Sequence, residues 1–97
     1  MSREDIIQKL QDANTRKKFR STQIAHVRLA SFARENHRHS DIDIIYEKDT
    51  SLPRQARIVP LYPYLENKLK RKVELIKKEM IHPAIQESLL ADAIQLW

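Results

Sequence analysis

Ser40-Asp41-Ile42-Asp43-Ile44-Ile45 places two carboxylates at i and i+2 inside a run of β-branched apolar residues. Such a run reads as a buried strand, in which i and i+2 share a face, so Asp41 and Asp43 project side by side. Neighbouring like charges held out of water are costly unless a cation sits between them. Hard oxygen donors at that spacing suit Mg²⁺ or Mn²⁺. The alternation of helical and strand patterns along the chain favours a sheet covered by helices.

The flanking sequence supplies those helices. Residues 2–18 read as a helix, with Ser2 as N-cap, Asp5 in a near capping box, and Ile6, Leu10, Ala13 and Lys17 on one stripe. Residues 21–29 alternate weakly and read as a strand, with a helical turn or two over 30–36 and a polar loop over 36–39. The carboxylate strand covers 41–46, and 47–53 is a polar connection. Pro60 and Pro63 place a helix start, because proline is tolerated in a first turn. That helix runs to Lys70 and buries Leu61, Leu65 and Leu69. Residues 71–76 alternate as a short strand, with Val73 and Leu75 on one face and Glu74 and Ile76 on the other. Pro83 opens a last helix ending near Trp97. The order α-β-α-β-α-β-α predicts an α+β domain, a small mixed sheet covered by helices.

At 97 residues the chain is one small domain over 1–97. It has no cysteine, which excludes a disulfide framework and thiolate chemistry. No apolar run approaches the roughly 18 residues of a membrane span. Met1-Ser2-Arg3-Glu4-Asp5 has no apolar signal core, so the expected location is cytoplasmic. The net charge is +5, and basic residues cluster at Arg16-Lys17-Lys18-Phe19-Arg20 and over 68–78. A basic surface draws phosphates or acidic proteins. Nucleic acid is not the expected partner, because no base-stacking motif or zinc knuckle accompanies the charge. His37 and His39 precede Asp41 as His-x-His-x-Asp and read as solvated loop residues rather than zinc ligands. The sequence contains no glycine, where average usage near 7% would give about seven.

Four segments in order resemble the minimal nucleotidyltransferase (MNT) family of the DNA polymerase β superfamily. They are Ser31-Phe32-Ala33-Arg34-Glu35-Asn36, then Ser40-Asp41-Ile42-Asp43-Ile44-Ile45, then Leu69-Lys70-Arg71-Lys72-Val73-Glu74-Leu75-Ile76, and last Ile81-His82-Pro83-Ala84-Ile85. The family pattern is Gly-Ser, Ala-Arg-Gly-Glu, Ser-Asp-x-Asp and a strand like Arg-Lys-Val-Asp-Leu. The resemblance implies the nucleotidyltransferase fold and NMP transfer from ATP to a hydroxyl with Mg²⁺ or Mn²⁺. It implies Asp41, Asp43 and Glu74 as catalytic and metal-binding carboxylates, and Ser31, Arg34 and Ser40 at the nucleotide. Some family members are antitoxins that adenylylate HEPN-domain toxins, which makes such a toxin the implied protein partner.

The departures fall on the phosphate turn. Ala30 stands where the family has glycine, Arg34 runs directly into Glu35, and Glu74 replaces aspartate. A Cβ at the turn keeps backbone N–H groups from approaching a phosphate closely. Lys70 stands where a helix-ending glycine is common. These changes predict impaired transfer. The alternative reading is a non-catalytic domain on the same fold, either a degenerate natural member or an engineered scaffold.

Overall fold

The computed structural model describes residues 2–32, 42–51 and 56–97, with Ser31 and Phe32 described as backbone. The elements are α1 (Arg3–Gln11), α2 (Ala13–Ser21), β1 (Ile24–Phe32), β2 (Ile42–Lys48), α3 (Leu61–Leu69), β3 (Val73–Lys77), a 3₁₀ turn (Lys78–Met80), α4 (Pro83–Asp92) and β4 (Ile94–Gln95). The four strands form one mixed sheet in the order β3-β2-β1-β4. β1 pairs antiparallel with both β2 and β4, while β2 and β3 run parallel. A parallel pair needs a crossover connection, and α3 lies within it.

Strand alternation sorts the two faces. Val27 and Leu29 of β1, Ile42, Ile44 and Tyr46 of β2, and Val73 and Leu75 of β3 join one core with Ile6, Leu10, Phe19, Leu61, Leu65 and Leu69 of the first three helices. Leu61, Leu65 and Leu69 form the expected i, i+4 stripe, all nearly inaccessible. α3 also protects the sheet edge. The Val73 N–H donates to Glu66 Oε2 (3.0 Å) and the Leu75 N–H to the Tyr62 hydroxyl (3.3 Å), so outward-facing donors of an edge strand are satisfied. On the opposite face Ile45 and Ile81 are buried outside that core. The 3₁₀ turn touches β2 there, and α4 touches β1.

Three expected elements change. The first helix is two helices, because Asp12 leaves the helical conformation and caps α2, accepting from the Thr15 N–H at 2.8 Å. The break re-phases the apolar stripe. Thr15 and Phe19 become fully buried, whereas Ala13 and Lys17 are exposed. The expected helical turn after the first strand is strand through Phe32, since β2 supplies partners for Ser31 and Phe32. Cross-strand pairing here overrides local propensity. The last helix stops at Asp92 rather than near Trp97. The chain then turns extended and covers the free edge of β1, with Ile94 opposite Leu29 and Gln95 opposite Arg28. Leu96 donates its N–H to the Val27 carbonyl at 2.8 Å and buries its side chain in the core. Other boundaries agree within a few residues. Ser2 and Asp5 form the reciprocal capping box, and the His82 ring nitrogen Nδ1 accepts from Ala84 N–H ahead of Pro83.

Asp12 ties three helices together. Besides capping α2, it accepts from the Lys68 ammonium of α3, which also donates to the Thr15 hydroxyl at 2.7 Å. The Lys68 hydrogen bond and the Thr15 N–H hold the Asp12 carboxyl down to about 2, below its ordinary 3.8. A depressed folded pKa stabilises above the unfolded value and is lost as pH falls through the folded one. Asn caps helices as well as Asp does, so Asp12→Asn removes the charge and keeps the cap. The variant should be less stable than the parent above pH 3.8, with the gap closing as pH falls towards about 2. Urea midpoints measured across that range check the window.

Among the described residues, two take positive φ without being glycine: Gln23 at 62° and Lys70 at 57°. Left-handed backbone costs a residue with a Cβ roughly 1–2 kcal/mol. Lys70 ends α3 in the position glycine usually fills, its N–H returning to the Glu66 carbonyl at 2.8 Å. Lys70→Gly should therefore raise stability by about 0.5–1 kcal/mol, net of glycine's larger unfolded entropy. Gln23→Gly should give no such gain, because the Gln23 side-chain oxygen accepts from the Ala56 N–H at 2.6 Å. Parallel urea titrations with unchanged m-values separate the two.

Candidate functional site

The row at Asp43 is the place where strand register gathers chemistry. Asp43 is the Cα partner of Glu74 on β3 and of Ser31 on β1. Three adjacent strands thus bring three of the sequence-predicted residues to one level of the sheet. Directly opposed residues in a ladder share a face, so Asp43 and Glu74 both project away from the helix-packed core. Their neighbours in sequence, Ile42, Ile44, Val73 and Leu75, point into it. Asp43 is half-buried and Glu74 is exposed. Asp41, Arg34, Ser40, His37 and His39 lie outside the described residues. Among the described residues no group of three or more His, Asp or Glu side chains converges on a metal position.

A register shift between Leu29 and Ser31 sets this row. Ala30 is the extra residue. It inserts one position into β1, and the insertion makes Ser31 the partner of Asp43. Bulges recur where a strand is re-aimed beside a site. Among the described residues, positive φ occurs at Gln23 and Lys70 and not at Ala30. The bulge therefore does not itself require glycine.

The same face continues along β2 to Ile45 and Glu47. Glu47, expected as connection, is strand, and its carboxylate is engaged. Arg28 Nη1 donates to Oε2 at 2.8 Å and Lys78 Nζ to Oε1 at 3.2 Å. Burial alone would raise the Glu47 carboxyl, but the two hydrogen bonds and their charges outweigh it and leave the group below its ordinary value. Glu47 is thus held by two cations, and the row's own carboxylates are Asp43 and Glu74. The sequence reading missed this triad. Its one sequence signal is Glu47 at i+4 from Asp43, on the same strand face.

No protein-family model and no curated protein sequence matches the chain. Among solved structures, a chain from a mutant form of the toxin–antitoxin pair MntA–HpeT superposes with a TM-score of 0.57 at 23% identity, over 87% of this chain and 70% of that one. The chain has the nucleotidyltransferase fold. The α+β expectation and the element order around β2 and β3 stand with it. In the nucleotidyltransferase fold as this chain builds it, the carboxylate row sits at the N-terminal ends of two parallel strands, β2 and β3.

Glu47→Gln tests how far that face depends on its ion triad. Both partners are part-exposed, so screening reduces the effect. The substitution should destabilise by about 1 kcal/mol. The loss should be complete near neutral pH and shrink as acid protonates Glu47 in the parent. Thermal unfolding at two pH values reads it.

Proposed function

We propose that this chain is a metal-dependent nucleotidyltransferase-type domain that moves NMP from ATP to a hydroxyl on a protein partner. The observation that carries the reading is the Ser31–Asp43–Glu74 row across three strands of a nucleotidyltransferase fold. Asp43 and Glu74 stand opposite each other on adjacent parallel strands, whose backbones are about 4.8 Å apart, and carboxylates are the hard oxygen donors that Mg²⁺ or Mn²⁺ takes. Asp43 and Glu74 would hold the ion, with Asp41 as the third carboxylate. When bound, such an ion neutralises triphosphate charge and supports the attacking and leaving oxygens.

The chain's own groups do the rest. Arg34 suits bidentate contact with phosphate oxygens, and Ser31 and Ser40 offer hydroxyl donors to the same group. The exposed Lys70-Arg71-Lys72 run leads into β3 at Glu74 and adds positive potential on the approach. The toxin–antitoxin pairing of the structural neighbour makes a toxin the favoured acceptor-bearing partner, of the HEPN type by the sequence resemblance. A second reading has its own observation. With no glycine in the chain and Ala30 at the bulge, the phosphate cradle is crowded, which favours a binding domain that keeps the fold without the chemistry.

Thermal unfolding with ATP and Mg²⁺ or Mn²⁺ separates the two readings. Ligand at about ten times its Kd adds roughly 1.4 kcal/mol, and each kcal/mol moves Tm by about 4–8 °C in a domain of this size. The transferase reading expects that upward shift, its loss in Asp43→Asn, and label from α-phosphate-labelled ATP appearing on a co-purified partner. A Tm unmoved by millimolar nucleotide and metal leaves the non-catalytic reading.

A further inference from the structure

The basic face of α2 is not absorbed by the carboxylate row. Arg16, Lys17, Lys18 and Arg20 are all exposed, and the helix carries no acidic residue. Among the described residues none of the four makes an ion pair. Charge alone would be a solvated helix face, but here it is shaped. Two clefts open on the flanks of α2. One, of about 430 Å³, is lined by Arg16, Arg20, Gln23, His26, Asp49 and Trp97. The other, of about 410 Å³, is lined by Asn14, Lys17, Lys18, Ser21 and Tyr64.

Each cleft pairs cations with a flat aromatic wall. The Arg16 guanidinium lies 5.5 Å from the centre of the Trp97 ring, and the Lys18 ammonium 5.4 Å from that of Tyr64. Such stacking restrains a long side chain that would otherwise sample many rotamers. Trp97 is held in turn by Phe19, edge to face with ring centres 5.2 Å apart. The floor of the first cleft is also fixed. Gln23, at φ 62°, donates its N–H to the Arg20 carbonyl (2.9 Å) and accepts through its own carbonyl from Asp49 N–H (2.8 Å). Among the described residues Asp49 is the single acidic wall residue, and its carboxylate accepts from the Ser51 N–H at 3.0 Å. The wall remains net positive.

We propose that α2 is a docking ridge for single-stranded nucleic acid, its two clefts taking phosphates on either side of the helix, lined by the stacked Arg16–Trp97 pair and by Tyr64 with Lys18 and Lys68 over its ring. A positive groove interleaved with aromatic rings is the physical requirement for binding a single strand. A free nucleotide fills one cleft, whereas a strand crossing α2 fills both. An acidic protein would match the charge without using the aromatic walls. The site is separate from the carboxylate row. His26 and Ser31 are five residues apart on β1, about 17 Å at strand rise. This inference does not rest on nucleotidyl transfer, and either can fail alone.

The test is fluorescence anisotropy with a labelled oligouridylate of about 20 nucleotides. At about 0.1 M salt, charges more than about 10 Å away are largely screened. Saturable binding is expected, with a log–log salt slope of about −3 for four neutralised phosphates. Arg16→Glu/Arg20→Glu and Lys17→Glu/Lys18→Glu should each weaken it about tenfold or more. Arg3→Glu, a charge reversal at the far end of α1, should alter it by less than about twofold. If a reversal unfolds the domain by circular dichroism, the corresponding glutamine pair carries the same comparison. Absence of binding at low salt overturns the proposal. So does a comparable loss in the Arg3 control, or displacement by ATP or polyglutamate at matched charge concentration.

Discussion

Everything in this domain hangs on the alternation of β2. One strand supplies Ile42, Ile44 and Tyr46 to the helix-packed core and presents Asp43, Ile45 and Glu47 to the other face. A slip of one residue would bury two carboxylates and expose the apolar set. The three core residues therefore lock the register energetically, and the carboxylates follow without separate specification. Pairing on both edges propagates that register. β3 brings Glu74 level with Asp43, and β1 brings Ser31. The hydrophobic effect thus positions the polar row, each of the core residues contributing about 1.5–3 kcal/mol of burial to a register that also places a carboxylate.

Lack of glycine shapes the backbone in two ways. Where left-handed geometry is unavoidable, Gln23 and Lys70 bear its cost and neighbouring hydrogen bonds hold them there. Gln23 adds a side-chain bond to Ala56, whereas Lys70 adds to the backbone closure of α3 only an exposed, long (3.4 Å) bond from its ammonium to Asn67 Oδ1. Where the sheet needs an irregularity, at Ala30, it uses a register shift that an ordinary residue can adopt. The fold tolerates a glycine-free sequence because a few hydrogen bonds offset left-handed strain. A phosphate-binding turn is less tolerant, since there the need is for empty volume, and no hydrogen bond replaces a missing void.

The parts legible in the sequence were those governed by a strong local period or a strong cap. α3 with its leucine stripe, the alternation of Val73-Glu74-Leu75, and the Ser2–Asp5 box are examples. What escaped was decided by distant partners. Asp12 reads as one more polar residue on a helix until Lys68, far along the chain, is placed beside it. Ile94 and Gln95 continue a helical pattern until the open edge of β1 is there to pair with. Of the candidate site, Asp43 and Glu74 could be named from a motif, but their meeting depends on a parallel register that no local signal encodes. The Arg28–Glu47–Lys78 triad had no motif at all.

β1 links the two polar regions of the molecule. It carries two register shifts against β2, one between Ile24 and His26 and one between Leu29 and Ser31. The first lies beside the basic cleft of α2, the second at the carboxylate row. Between them Val27 and Leu29 are anchored in the core and do not permit slippage. Each irregularity is thus confined to one end of a rigid middle, and each end can be re-aimed without disturbing the other. His26, at the basic cleft, and Ser31, level with Asp43, lie about 17 Å apart along the strand. That exceeds the screening length at physiological salt of about 8 Å. Interactions across that distance are weak, so the polar groups at each end of β1 are governed by their own neighbours.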